Sequence, residues 1–161
     1  SMIREMDVFE AVSVYREGSP VTRATYDVVL DFSSPFTIAY SSFLLYANYL
    51  FAPFPWHIEN FLDLYACMEA ILRMVLIYYS VKHWHMAYGP QRRMLGLMLI
   101  LFFSMSFMWA MGTSNYGTAM RHHMLSWWIL VVAGLPLLLK RLGHVLLALA
   151  ALRAPHTLRT D

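Results

Sequence analysis

Only 14% of the 161 residues are charged, against about 25% in soluble globular domains. With 59% of the chain hydrophobic and a mean hydropathy of +0.49, that shortage excludes an ordinary water-soluble domain and indicates an integral membrane protein. Cysteine is nearly absent. Cys67 alone excludes an intrachain disulfide and a multi-thiolate metal site, and it reads as a small apolar helix residue. The net charge of +2, with no dense basic run, excludes nucleic acid as a partner. Also missing are a phosphate-cradling glycine loop, a nucleophile elbow and any metal-ligand spacing, so neither a cofactor nor a metal is expected. His83 and His85 are two residues apart and do not share a helix face, and no pair of the seven histidines lies deep in facing spans as haem ligation requires. No basic stretch leads into an apolar core at the N-terminus, so no signal peptide is visible there. The Ser1-Met2 start reads as a tag scar or internal cut, and a longer parent protein is expected.

What the chain has in abundance is long apolar runs, with ten Tyr, ten Phe and five Trp to favour the bilayer interface. The predicted fold is an all-α integral membrane protein in three parts. Residues 1–35 form a polar segment at the membrane surface. Ile3, Met6, Phe9, Val12 and Tyr15 recur at every third position as an amphipathic helix, and "GSP" at Gly18–Pro20 ends it. Residues 36–139 hold about four transmembrane helices in the runs Phe36–Ala52, Ile58–Val81, Met94–Met111 and Met124–Leu139. The first run is short and polar, either a true span or a re-entrant segment. Residues 140–161 follow as a basic interfacial helix and tail, because Val145–Leu152 is too short to cross.

Lys and Arg in short loops set orientation. The loop "KHWHMAYGPQRR" at 82–93 carries Lys82, Arg92 and Arg93 without an acid, and Lys140 and Arg141 follow the fourth run. Both are expected in the cytoplasm, where these cations would contact anionic headgroups. "APFPWHIEN" and the connector "GTSNYGTAMRHH" are then expected on the outer face. Residues 1–35 carry three arginines and six carboxylates. They are cytoplasmic if Phe36–Ala52 spans and external if it is re-entrant.

Three groupings point to chemistry. Glu69 and Arg73 lie four residues apart in the second run, either as an ion pair within the helix or as an anion site in a polar cavity. Pro53 and Pro55 bracket Phe54 ahead of Trp56, forming an interfacial turn or the wall of a substrate cleft. In the outer connector, Gly112 and Gly117 permit unusual backbone shapes, while Ser114, Asn115 and Thr118 offer hydrogen bonds to sugar or phosphate. Arg121 offers a planar fork to phosphate oxygens, and His122 and His123 can exchange protons near neutrality. The same residues also suit an outer loop that solvates lipid phosphates.

The fragments "YREG", "RATYDVVLD", "YLFAPFPWHIENFLDLYACMEAILR" and "NYGTAMRHHML" occur in this order. Over roughly residues 10–140 they resemble the C-terminal portion of bacterial O-antigen or exopolysaccharide polymerases. The resemblance implies a multi-pass protein of the bacterial inner membrane that joins lipid-linked oligosaccharide units at the outer face, with undecaprenyl diphosphate as leaving group. It implies that Arg121 and Asn115 match the family motif and that a histidine assists the acceptor hydroxyl. With the groupings above, the expected catalytic set is Arg121, His122 and His123, and the expected substrate-binding set is Asn115, Thr118, Arg73, Glu69 and Trp56. His123 stands where the family pattern often has Arg, and four spans are fewer than the ten or more of full-length members, so a fragment or a partner-dependent relative is expected. The rival expectation is a small non-catalytic membrane subunit that scaffolds a respiratory or transport complex.

Overall fold

The computed structural model describes residues 33–113 and 115–153. Most of the amphipathic segment expected at 1–35, the tail after Arg153 and Ser114 of the outer connector lie outside the described residues. Among these residues the chain is all helical, with four α-helices and no strand.

Local chemistry fixes each helix start. Helix α1 (Pro35–Phe51) opens with proline at its first position, behind a reciprocal capping box. Ser34 Oγ accepts from the Thr37 N–H at 3.2 Å, and Thr37 Oγ1 accepts from the Ser34 N–H at 3.0 Å. Pro53 prevents α1 from continuing, and a single 3₁₀ turn, Pro55–His57, carries the chain over to α2 (Phe61–Met86). The α2 cap repeats the reciprocal scheme, with Asn60 Oδ1 accepting from the Asp63 N–H and Asp63 Oδ2 accepting from the N–H groups of Asn60 and Glu59. Helix α3 (Gly89–Gly112) follows after only Ala87 and Tyr88, and Gly89 at φ +58° supplies the left-handed step that so tight a reversal needs. Helix α4 (Tyr116–Arg153) runs for 38 residues, about 57 Å.

Four runs were expected to span, and the structure is more selective. Helix α3 and residues 117–152 of α4 are long and apolar enough to cross a membrane. Helix α1 has 17 residues, and α2, though 26 residues long, carries Asp63, Glu69, Arg73 and Lys82. One expected boundary is also moved. Lys140, Arg141 and Gly143 do not end the fourth helix, which continues without a break through the stretch assigned to a separate interfacial helix. A lone helical glycine costs only about 1 kcal/mol, and Lys, Arg and Leu are good helix formers. Beyond Leu138 this helix leaves the bundle, and Val145 to Leu152 are all exposed.

Helices α2 and α4 run parallel and share the largest interface. Their buried positions recur at steps of three or four: Ala66, Ala70, Arg73, Leu76 and Ser80 on α2, and Ala119, His123, Ser126, Leu130, Ala133 and Leu137 on α4. This is a helix–helix seam, with small residues bringing the backbones close. Phe102 and Ala110 of α3 and Tyr49 and Leu50 of α1 complete the core.

Candidate functional site

Between α2 and α4 runs an open groove of about 1030 Å³. It follows α2 from Leu62 to Val75, roughly 20 Å, and α4 from Gly117 to Trp127. Its walls are mainly apolar, with Tyr65, Met68 and Leu72 on one side and Met120 and Met124 on the other. Three ionisable side chains reach it: Asp63, Glu69 and Arg121.

These three are held in different ways. Asp63 is 2% exposed and closes the α2 cap from inside the fold. Glu69 Oε1 accepts a hydrogen bond from Trp127 Nε1 at 3.1 Å, tying α2 to α4 across the groove. Arg121 is exposed on the second turn of α4 and makes no hydrogen bond or ion pair among the described residues. It is thus an exposed cation in a mainly apolar trough that also holds the Asp63 and Glu69 carboxylates.

The rest of the expected set is distributed elsewhere. Glu69 and Arg73 do not form an ion pair. Arg73 is 1% exposed, within electrostatic reach of Tyr49 and His123, and is absent from the groove wall. Position 73 falls on the buried seam of α2 and position 69 on its edge, so the two side chains diverge. His123 is also buried, with Nε2 2.9 Å from the Tyr49 carbonyl oxygen and its ring 4.2 Å from the Tyr49 ring. His122 stacks on Trp109 at 3.9 Å, and its Nδ1 lies 3.2 Å from Thr113 Oγ1. Neither imidazole lines the groove.

Asn115 and Thr118 serve the backbone. Asn115 Oδ1 accepts from the Thr118 N–H at 2.8 Å, and the Asn115 carbonyl accepts from the Ala119 N–H at 3.1 Å, which begins α4. The expected loop is therefore confined to residues 113–115, and Arg121, His122 and His123 are helical. Gly112 and Gly117 adopt no left-handed conformation. Trp56 is exposed on the 3₁₀ turn, stacked on Phe54 at 4.8 Å, and is not on the groove wall. Asn115→Ala should cost about 1 kcal/mol, read as a lower unfolding midpoint in detergent, with groove binding unchanged.

Sequence reading missed Trp127, Met120, Met124 and the α2 wall. The signal was present: Leu62, Tyr65, Met68 and Leu72 recur at helical spacing, as do Gly117, Met120, Met124 and Trp127. Nothing in the sequence pairs one stripe with the other. Among the described residues no three His, Cys, Asp or Glu side chains cluster as a metal site would need. No family model, curated protein or solved structure matches this chain.

Proposed function

We propose that this chain is a multi-pass membrane protein whose α2–α4 groove takes a lipid-linked phosphate, with Arg121 gripping the anion. Its setting would be bacterial inner-membrane glycan polymerisation, where oligosaccharides are transferred from a lipid diphosphate. The observation that carries the reading is the exposed guanidinium of Arg121 in a mainly apolar groove whose two carboxylates are engaged elsewhere, Asp63 in the α2 cap and Glu69 with Trp127, which suits an amphiphile with an anionic head. The distribution of residues supports the membrane part. Ser41, Asp63, Arg73, Ser80, Ser106 and His123 are buried, while Leu62, Met68, Leu97, Ile100, Met124 and Val132 are exposed. In water that arrangement would leave an extensive apolar surface, whereas in lipid it places the polar groups where they are shielded.

In glycosyl transfer from such a donor, an acceptor hydroxyl oxygen bonds the anomeric carbon as that carbon's bond to the diphosphate oxygen breaks, the hydroxyl proton passes to solvent or to the departing diphosphate, and negative charge grows on the leaving phosphate. A guanidinium presents two parallel N–H donors to phosphate oxygens and stabilises that charge. On this reading Arg121 binds and activates the leaving group. His122 and His123, held by Trp109 and Tyr49, are not assigned the acceptor proton.

Arg121→Ala should reduce photo-crosslinking of a polyprenyl diphosphate to the chain in liposomes by about tenfold or more, the loss of a charge-assisted contact. Arg121→Lys should retain part of the capture. In cells, glycan should stop at single repeat units while the variant still inserts. Wild-type capture and polymer length in Arg121→Ala would refute the assignment. The scaffold-subunit reading draws support from the exposed apolar end of α4, Val145–Leu152, and expects no effect of Arg121→Ala.

A further inference from the structure

We infer that a second lipid site lies at the opposite end of the bundle, a pocket between Trp84 and the first turns of α3 that takes the headgroup phosphate and leading acyl chain of an anionic phospholipid. The inference rests on the membrane reading above, but not on the glycan donor or on Arg121. The pocket is about 660 Å³ and is lined by Trp84, Arg92, Arg93, Gly96, Leu97 and Ile100.

Each part has a physical reason to be there. The Trp84 indole of α2 lies against α3 at Gly96, where a Cβ would sit 3.0 Å from Trp84 Nε1. Glycine at 96 therefore lets the ring settle as the floor. The Arg92 guanidinium stands 5.4 Å from the indole centre, a cation–π contact that uses none of its N–H donors and leaves them available to a phosphate. Arg93 is exposed beside it. The α3 N-cap, Tyr88, makes no side-chain capping bond, so the first-turn N–H groups and the helix dipole add to the positive field.

Among the described residues the surroundings contain no competing anion. After Glu69 no acidic residue occurs in the described chain, and Lys82, Lys140 and Arg141 belong to the same end. Below the arginines, exposed Leu97 and Ile100 continue one and two turns along α3 and offer an apolar track for an acyl chain. A cationic mouth over an apolar track matches a phospholipid better than a soluble phosphate, which would use only the mouth.

The test uses the full chain, purified in mixed micelles with equal phosphatidylglycerol and phosphatidylcholine, and counts retained lipids by native mass spectrometry. The wild type should keep phosphatidylglycerol over phosphatidylcholine by about tenfold, and Arg92→Gln/Arg93→Gln should abolish the preference, as expected for the loss of two headgroup contacts. Arg93→Gln alone, at an exposed position without structural contacts, should lower it partway. Lys140→Gln/Arg141→Gln removes equal charge from the same end and should leave it intact. An undiminished preference in the Arg92/Arg93 variant, or an equal loss in the Lys140/Arg141 variant, would overturn the site. So would displacement of the lipid by millimolar inorganic phosphate, which would assign the pocket to a free anion. Alkaline carbonate extraction of cell membranes tests the membrane reading separately: a chain released by that wash fails there, not at this pocket.

Discussion

Gly134→Leu is expected to separate α2 from α4 and abolish the stable bundle. A Cβ on residue 134 would lie 2.6 Å from the Leu76 carbonyl oxygen, 2.6 Å from Ser80 Oγ and 3.2 Å from the Ser80 amide nitrogen. Two of those atoms belong to helix backbone and cannot rotate away, so the helices must part. Parting them strips contacts from the whole small-residue seam, Ala66, Ala70 and Ala133 included. Overpacking alone costs about 1–3 kcal/mol, and Gly134→Ala should already fall in that range. The larger leucine should exceed it, seen as loss of a cooperative unfolding transition in detergent. Ser80→Ala removes one obstructing atom but leaves the Leu76 carbonyl, so it should not rescue the leucine variant. Gly143→Leu is the control, because a Cβ at that glycine would meet nothing within 4 Å and the substitution should be neutral or mildly stabilising. Equal stability of Gly134→Leu and the wild type would mean that α2 and α4 do not meet in this register.

Much of the helical layout was legible, for a simple reason. Apolar runs report where hydrocarbon would begin and end, and Phe36–Ala52 differs from α1 by one residue at each end. Helices, however, continue through headgroup depth. "KHWHMAYGPQRR" therefore reads as a loop of twelve residues but contains only two, Ala87 and Tyr88, between helices. The same effect moved Arg121, His122 and His123 from a connector onto α4. Once they are helical, neighbours in sequence point in different directions: Arg121 to the groove, His122 to Trp109, His123 to the core. Sequence proximity suggested one catalytic cluster, and helical geometry disperses it. Glu69 and Arg73 part because position 73 lies on the buried seam while Glu69 sits at its edge, where it bonds Trp127. The Glu69–Trp127 bond spans 58 positions and had no local signature.

A membrane-impermeant maleimide should label Gly112→Cys on intact spheroplasts and Gly143→Cys only after permeabilisation, both in a Cys67→Ser background. The two glycines suit the experiment because nothing lies within 4 Å of a Cβ added at either, so a thiol enters without disturbing the fold. Cys67 is the sole native cysteine and is buried. The direction follows from charge. Lys82, Arg92, Arg93, Lys140 and Arg141 share one end of the bundle, whereas Glu59, Asp63 and Glu69 lie toward the other, and on the proposed membrane reading the Lys/Arg-rich end is expected in the cytoplasm. Residues 112 and 143 flank most of α4, so the expected result is all-or-none at each site. The alternatives separate the ideas cleanly. Labelling of both cysteines in intact spheroplasts would mean that α4 does not cross. Labelling of Gly143→Cys alone would turn Arg121 toward the cytoplasm, away from oligosaccharide donors displayed outside. The glycan reading would then fall, while the Trp84 pocket, which needs only an anionic leaflet beside it, would survive on the other face.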